Sequence, residues 1–147
     1  MKKPAFTMLE AVIVLGIVAL VVGLTMPAMT RDRQAMAEEQ FWRNLRHNWR
    51  QAQLRAELNQ QSTQIKYNVV AQTVEFDWAG GQKQVAIPAT IKVFRFPKLK
   101  MAADGYIKAQ TQVFYSELDQ HYYLMKIQLA WGGYRIEKKD QASFSNG

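Results

Sequence analysis

One segment limits what this chain can fold into more than any other: residues 11–29 contain no charged residue. At a helical rise of about 1.5 Å per residue, this segment spans roughly 28 Å, which is close to the apolar thickness of a bilayer. A helix so uniformly apolar is unusual in the core of a soluble protein. We therefore expect residues 6–30 to form a membrane-spanning helix.

Two simpler interpretations compete with a specialised membrane segment. A secretory signal peptide has a shorter apolar region and a small-residue cleavage site after it, whereas no Ala-x-Ala follows this segment. A plain single-pass anchor is the other interpretation. Charge alone leaves its orientation open, because Lys2 and Lys3 precede the segment while Arg31 and Arg33 follow it.

Composition narrows the classes of function. The 147 residues suffice for one domain with an extension, and 48% apolar with 21% charged residues excludes general disorder. The absence of cysteine excludes disulfides, thiolate zinc sites and cysteine nucleophiles, and only two histidines argue against a histidine-rich metal site. A net charge of +7 indicates contact with an anionic partner such as nucleic acid, lipid headgroups or a cell-wall polymer.

Glu10 stands at the start of the apolar segment. A carboxylate carried into hydrocarbon costs a few kcal/mol and normally has a partner. In one interpretation Glu10 lies at the level of the lipid headgroups and is solvated. In the other, cleavage before Phe6 creates an ammonium group, and a neighbouring helix shifted by about one turn presents that group to Glu10. Such a pair would set the register of an assembly, as one buried polar residue does in a coiled coil.

The order of these residues resembles the class III signal of type IV pilins and pseudopilins. The resemblance lies in a short basic leader, the run Ala5-Phe6-Thr7-Met8-Leu9-Glu10 and an uncharged helix that contains Pro27. It implies that a prepilin peptidase removes residues 1–5, cutting between Ala5 and Phe6, and methylates the Phe6 amine. It also implies that Glu10 is the assembly glutamate. The family usually has Gly where this chain has Ala5.

Pro27 has a physical consequence of its own. It removes one backbone hydrogen bond and clashes with the preceding turn, so we expect the helix to bend there. The resemblance likewise implies a helix-kinking proline at this position. Gly16 and Gly23 lie seven residues apart and would leave a flat face for a neighbouring helix.

Helical patterning continues beyond the apolar segment. We predict one helix from about residue 7 to residue 58, with residues 31–61 as its amphipathic continuation. An apolar stripe with spacings of three and four would pack on a sheet; it consists of Trp42, Leu45, Trp49, Ala52 and Ala56. Leu54 and Leu58 fall on the opposite face.

From residue 62 onward the apolar period changes to two, which predicts a β-rich globular domain over 62–147. Ile65, Tyr67 and Val69 alternate with polar residues, and later strands are predicted near 74–78, 85–87, 91–96, 110–115, 122–129 and 134–137. The predicted fold class is α+β, with the long helix packed on one antiparallel sheet. This arrangement agrees with the lollipop shape of pilins.

Within the family, the length, the lack of cysteine and the late Gly-Gly-Tyr-Arg-Ile run resemble ComGD-type competence pseudopilins of Gram-positive bacteria. The resemblance implies a minor pseudopilin that supports DNA uptake, anchored by a single pass in the cytoplasmic membrane with its globular part outside and reaching the cell surface after assembly. Implied partners are other pilins, an assembly ATPase, a platform membrane protein and, directly or through the pilus, DNA. The alternative is a GspH/FimT-like minor pseudopilin of a secretion system or pilus without DNA contact.

No motif in the sequence predicts an enzyme, a cofactor or a metal site. Walker loops, zinc-protease motifs and nucleophile elbows are absent from the sequence. The segment 117–121, with Glu117, Asp119 and His121, carries titratable groups that we interpret as a solvated loop.

The densest basic cluster is interleaved with Phe94 and Phe96; it consists of Lys92, Arg95, Lys98 and Lys100. It could bind DNA through phosphate contacts and stacking. The simpler interpretation is an edge strand that lysines protect from aggregation.

Overall fold

The protein has an α+β fold in which one N-terminal helix packs on antiparallel sheets. A computed structural model describes residues 7–128 and 132–140, and the side chains of 24–29 lie outside that description. The helix α1 covers Met8–Asn59. In the described part the strands are β1 Thr63–Asn68, β2 Thr73–Trp78, β3 Gly81–Ala86, β4 Ile91–Arg95, β5 Leu99–Met101, β6 Thr111–Ser116, β7 His121–Ile127 and β8 Tyr134–Asp140.

The predicted helix boundaries are confirmed to within a residue. Thr7 is the N-cap, with extended backbone angles, and its hydroxyl oxygen accepts a hydrogen bond from the Glu10 N–H at 3.3 Å. At the other end Gln60 adopts a left-handed conformation and its N–H donates to the Arg55 carbonyl. The helix continues through position 27 without interruption. The bend predicted at Pro27 falls in the stretch 24–29 and stays a prediction.

The second half of α1 buries a stripe of side chains against the sheets. Leu45, Trp49, Ala52 and Ala56 are at most 2% exposed, as the spacing predicted. The stripe is wider at its beginning than predicted, since its fully buried residues also include Phe41. Trp42 is half-buried and contacts Phe114 and Tyr123 edge-on or at a tilt. Leu54 and Leu58, which the sequence places on the opposite face, are exposed.

The prediction of a single sheet is wrong, because the strands form two four-stranded antiparallel sheets. The first sheet has the order β3-β2-β1-β5 and the second has the order β4-β6-β7-β8. After β3 the chain passes Pro88 into the second sheet, and after Pro97 it returns to the first sheet for β5. The proline breaks were visible in the sequence, but the change of sheet depends on pairings that no local pattern encodes.

Two details of the strand prediction also differ. β5 has only three residues, which is too short for a period of two to be recognised. Val69 was predicted within a strand but lies in the β1–β2 turn and is 66% exposed. The cause is Asn68, whose side-chain oxygen accepts hydrogen bonds from the N–H groups of Val70 and Ala71 and so ends the strand.

The last hairpin is tied to the helix at one glycine. The Trp49 indole N–H donates to the Gly132 carbonyl at 2.7 Å, and the Trp49 ring packs edge-on against Tyr134. Gly132 has a φ of +64°, and a Cβ there would lie 3.2 Å from the Gln53 amide nitrogen. Glycine is required at this position by its backbone angle, and an added Cβ would also force the Gln53 amide to shift by a few tenths of an ångström.

Gly105 offers a matched comparison for that requirement, because it has a φ of +82° and open space around an added Cβ. We expect Gly105→Ala to lower the free energy of unfolding by about 1 kcal/mol through its backbone angle alone. Gly132→Ala should lower it by about 2–3 kcal/mol, because crowding adds to the same backbone cost. Denaturant titration of the detergent-solubilised protein, followed by tryptophan fluorescence, measures both losses. Equal losses would show that the close approach at Gly132 is unimportant.

Candidate functional site

The first half of α1 exposes apolar side chains on every side. Eleven large apolar residues between Met8 and Val22 are 47–89% exposed, and at about 100° per residue they cover the whole circumference of the helix. Soluble monomers rarely expose a continuous apolar surface of this size. Covering these side chains with lipid or protein contributes on the order of 10–20 kcal/mol. Within the residues that the structure describes, nothing covers this part of the helix.

The sequence-predicted processing site lies outside the described residues. Ala5, Phe6 and the leader 1–5 belong to that part, so the predicted cleavage and methylation stay predictions. Within the described residues, no helix has an apolar stretch long enough to cross a bilayer.

Glu10 lies in the first turn of α1 and is exposed. Besides its bond to the Thr7 hydroxyl, its N–H lies 3.0 Å from the Thr7 carbonyl oxygen. The run Thr7-Met8-Leu9-Glu10 fits the capping-box pattern, and a carboxylate in the first turn also meets the positive end of the helix dipole. The observed bonds use the Glu10 backbone N–H, and the Thr-x-x-Glu spacing that marks this helix start was overlooked in the sequence interpretation.

The two glycines of the apolar half are not required by the chain itself. A Cβ added at Gly16 or Gly23 would meet nothing within 4 Å, and neither residue has a left-handed backbone. The reason for glycine at these positions therefore lies in contacts with another molecule or in the absence of selection for a side chain.

The structure divides the predicted basic cluster between two sheets. Lys92 and Arg95 lie on β4, an edge strand of the second sheet, and both are exposed. Lys100 lies on β5, an edge strand of the first sheet, beside Asp77 in a shallow cleft, and Lys98 lies in the connection. Only Lys92 and Arg95 therefore share a strand. Their edge positions agree with the protective interpretation, and direct DNA contact stays a prediction.

A buried acid holds α1 where its packed half begins. The Glu38 carboxylate is buried, and its two oxygens lie 3.0 and 2.8 Å from the hydroxyl of Ser116, which donates to it. The same hydroxyl accepts from the Asp119 N–H at 3.1 Å. This chain of bonds attaches the β6–β7 turn to the helix. Sequence reasoning could not find it, because Glu38 and Ser116 are 78 positions apart.

Asp119 has further partners in the same region. Its carboxylate accepts hydrogen bonds from the Tyr123 hydroxyl and from the Lys138 ammonium, the latter at 2.7 Å. The Lys138 ammonium first, and the Tyr123 hydroxyl second, hold the pKa of Asp119 below its ordinary value. The pKa of Tyr123 is raised, mainly because its hydroxyl is partly buried and secondly because it donates a hydrogen bond to the Asp119 carboxylate. His121 Nε2 lies 2.8 Å from an Asp140 carboxylate oxygen. The segment 117–121 thus begins as a turn with exposed Glu117 and Gln120, in which Asp119 and His121 have partners that the sequence did not reveal.

These acids do not form a metal centre. Within residues 7–128 and 132–140, no group of three histidine, aspartate or glutamate side chains is arranged to hold a metal ion. The arrangement of Glu38, Ser116 and Asp119 is instead one of attachment, since each polar group faces another part of the same chain.

Comparison with known proteins leaves the family open. No protein-family model, no curated protein and no solved structure matches the chain. The features that bear on function are therefore the N-terminal residues and the way the helix meets the sheets.

The lowered pKa of Asp119 predicts a pH dependence. Because the folded-state pKa lies below the unfolded value, the stabilisation is present above about pH 4 and is lost as the pH falls through the folded pKa. We expect Asp119→Asn to lower the free energy of unfolding by about 1 kcal/mol at pH 7, and the difference from wild type to shrink at pH 3. Urea titrations at both pH values measure it.

Asp104→Asn is the matched control for this prediction. Asp104 is exposed, and its side-chain oxygen accepts a bond from the Tyr106 N–H, which an amide oxygen can replace. This variant should change stability little at either pH. A loss in Asp119→Asn that is the same at pH 7 and pH 3 would contradict the assigned role of the charge.

Proposed function

We propose that this chain is a minor pseudopilin of a competence pilus, a filament that supports DNA uptake in natural transformation. One observation carries the proposal: a single helix exposes apolar side chains all round over its first 16 described helical residues and packs on two sheets over its second half. The N-terminal run resembling a class III signal supports it. A helix divided in this way suits a subunit whose first half is covered by lipid before assembly and by other helices afterwards.

The proposed sequence of events begins in the cytoplasmic membrane. The precursor is held there by a single pass, with its globular part outside. A prepilin peptidase cuts between Ala5 and Phe6 and methylates the new amine. An assembly ATPase and a platform membrane protein then move the subunit into a filament with other pilins, and the filament reaches the cell surface.

Energetics allow this transfer at small cost. Lipid chains and the apolar sides of neighbouring helices cover the first half of α1 almost equally well, so the hydrophobic free energy changes little between the two states. A specific polar contact can therefore decide between them. The Phe6 amine of one subunit and the Glu10 carboxylate of a neighbour would supply that contact in a medium of low dielectric constant. The proposed bend at Pro27 would let the apolar half adjust its direction to neighbouring helices.

The mature N-terminus tests the processing step. We expect mass spectrometry of the protein from its native host to find a chain that starts at N-methyl-Phe6. The same measurement on Phe6→Ser or on a strain without the peptidase provides controls for methylation and cleavage. A mature chain that still begins at Met1 would support a plain anchored domain and contradict the proposal.

Variants of Glu10 and Thr7 separate the assembly role from the capping role. Glu10→Gln keeps the capping-box pattern but removes the charge, whereas Thr7→Ala removes the cap and keeps the carboxylate. We expect Glu10→Gln and Glu10→Val to lower incorporation into sheared filaments at least tenfold, because an unpaired buried ammonium costs about 3–5 kcal/mol.

Thr7→Ala should assemble nearly normally, and all three variants should still reach the membrane fraction. The reverse result, with normal assembly of Glu10→Gln and loss in Thr7→Ala, would show that capping alone explains Glu10.

A GspH/FimT-like role without DNA contact is the second candidate. The observation that favours it is the division of the basic cluster between two edge strands, where lysines also protect against aggregation. Deletion of the gene separates the two candidates. Loss of transformation with normal secretion supports the competence role, and loss of secretion with normal transformation supports the alternative.

A further inference from the structure

The side of the second sheet that faces away from the helix carries an aromatic and basic surface. The helix packs on the other side, where Trp42 meets Phe114 and Tyr123. Residues on the outer side are fixed by strand alternation and register. We call them the outer face; its central members are Lys92, Phe94, Arg95, Tyr115, Tyr122 and Lys139.

One row of side chains crosses all four strands of this face. Lys92 is opposite Tyr115, Tyr115 is opposite Tyr122, and Tyr122 is opposite Lys139. At about 4.8 Å per strand the row is roughly 14 Å long, with a cation at each end and two phenols between them.

A β-bulge adds Arg95 to the outer face beside Phe94. The register of β4 shifts between Val93 and Arg95, so that Arg95 lies opposite Val113 instead of turning toward the helix. The Phe94 ring lies 6.2 Å from the Tyr115 ring and 5.5 Å from the Tyr122 ring. Phe94 is nevertheless 60% exposed. The bulge thus places an exposed aromatic ring and a guanidinium side by side.

Charge on the outer face is strongly positive. Lys126 and Arg135 are opposite each other on the same side and raise the number of cations to five. The carboxylate of Glu137 is the one acid among the described residues of the face, and it lies 2.7 Å from the Lys126 ammonium. Glu117, at the end of β6, lies 3.6 Å from Lys92. Even with both acids counted, positive charge is in clear excess.

This combination selects among anionic partners. Lipid headgroups and phosphate polymers can pair with the Lys and Arg side chains, but they have no planar group that could stack on the aromatic rings. Duplex DNA keeps the faces of its bases inside the stack. Single strands present both phosphates and free base faces, and rings on an exposed sheet combined with cations are the arrangement that binds them.

We infer that the outer face binds single-stranded nucleic acid without sequence preference, with bases stacked on Phe94 and its neighbours and phosphates held by Lys92, Arg95 and Lys139. The inference deepens the proposed role in DNA uptake by naming the face and the form of the strand. It is tested with the purified chain, so it can fail while assembly through Glu10 stands.

The experiment uses the full chain in detergent and three fluorescent probes: a 20-nucleotide oligo-dT, an abasic 20-mer with the same phosphates, and a 20-base-pair duplex. Fluorescence anisotropy at 50 and 200 mM salt measures affinity. We expect oligo-dT to bind at least fivefold more tightly than either of the other probes. Equal binding of the abasic strand, tighter binding of the duplex, or no binding at 50 mM salt overturns the inference.

Two variants test the contacts. Phe94→Leu keeps an apolar side chain but removes the ring, and it should weaken oligo-dT binding roughly five- to a hundredfold while leaving the abasic strand unaffected. Arg95→Gln should weaken the binding of both the oligo-dT and the abasic strand. It should also reduce the slope of log affinity against log salt by about 0.7. Phe94→Tyr keeps an aromatic ring and should bind oligo-dT as tightly as the wild type. Comparison with Phe94→Leu then shows that the loss comes from the missing ring and not from a change in folding.

Matched controls lie on the first sheet. Val70 is 97% exposed in the β1–β2 turn, and Lys83 is exposed on the edge strand β3. Val70→Ala removes exposed apolar surface and Lys83→Gln removes a cation, each from a different surface, and both should leave oligo-dT binding within about twofold. If Lys83→Gln weakens binding as much as Arg95→Gln does, the binding is a general effect of net charge and the inference is wrong.

Discussion

The structure depends on one constraint: a single helix of 52 residues must satisfy two different surroundings. At about 1.5 Å per residue it is close to 78 Å long, far longer than the sheets it packs on. The sheets can cover only the half that carries Phe41, Leu45 and Trp49. The other half has no apolar partner within the described residues, and its side chains remain exposed. The domain therefore folds around one end of an element whose other end needs a separate environment.

Much of the helical part could be predicted from sequence, because its signals are local. The uncharged stretch and the stripe through Ala52 and Ala56 are both visible in the order and spacing of the residues, and they place the helix over about residues 7–58. The sheets were less predictable. Strands could be recognised by their alternation, but the assignment of β4 and β5 to different sheets depends on partners far along the chain. Val69 shows the same limit on a smaller scale, since one asparagine ended its strand.

The candidate sites show a similar division. Glu10 could be singled out because a charge in an apolar run is conspicuous, yet its capping partner Thr7 was overlooked. The basic cluster was defined by closeness in the sequence, but the fold places Lys92 and Lys100 on different sheets. The outer face of the second sheet could not have been assembled beforehand, because the bulge at Phe94 changes which side Arg95 takes. The sequence shows which residue types a segment carries, but it does not show which residues become neighbours across strands.

The bond from the Trp49 indole to the Gly132 carbonyl has a mechanical consequence. It joins positions 83 residues apart, and with the Trp49–Tyr134 ring contact it fastens the final hairpin directly to the helix. Tension applied along the helix axis would therefore reach the start of β8 directly through these two contacts, as well as through the strand pairings of the sheet. A force on the helix would thus act on the β7–β8 hairpin together with the rest of the domain, and the hairpin would not be the first part to separate.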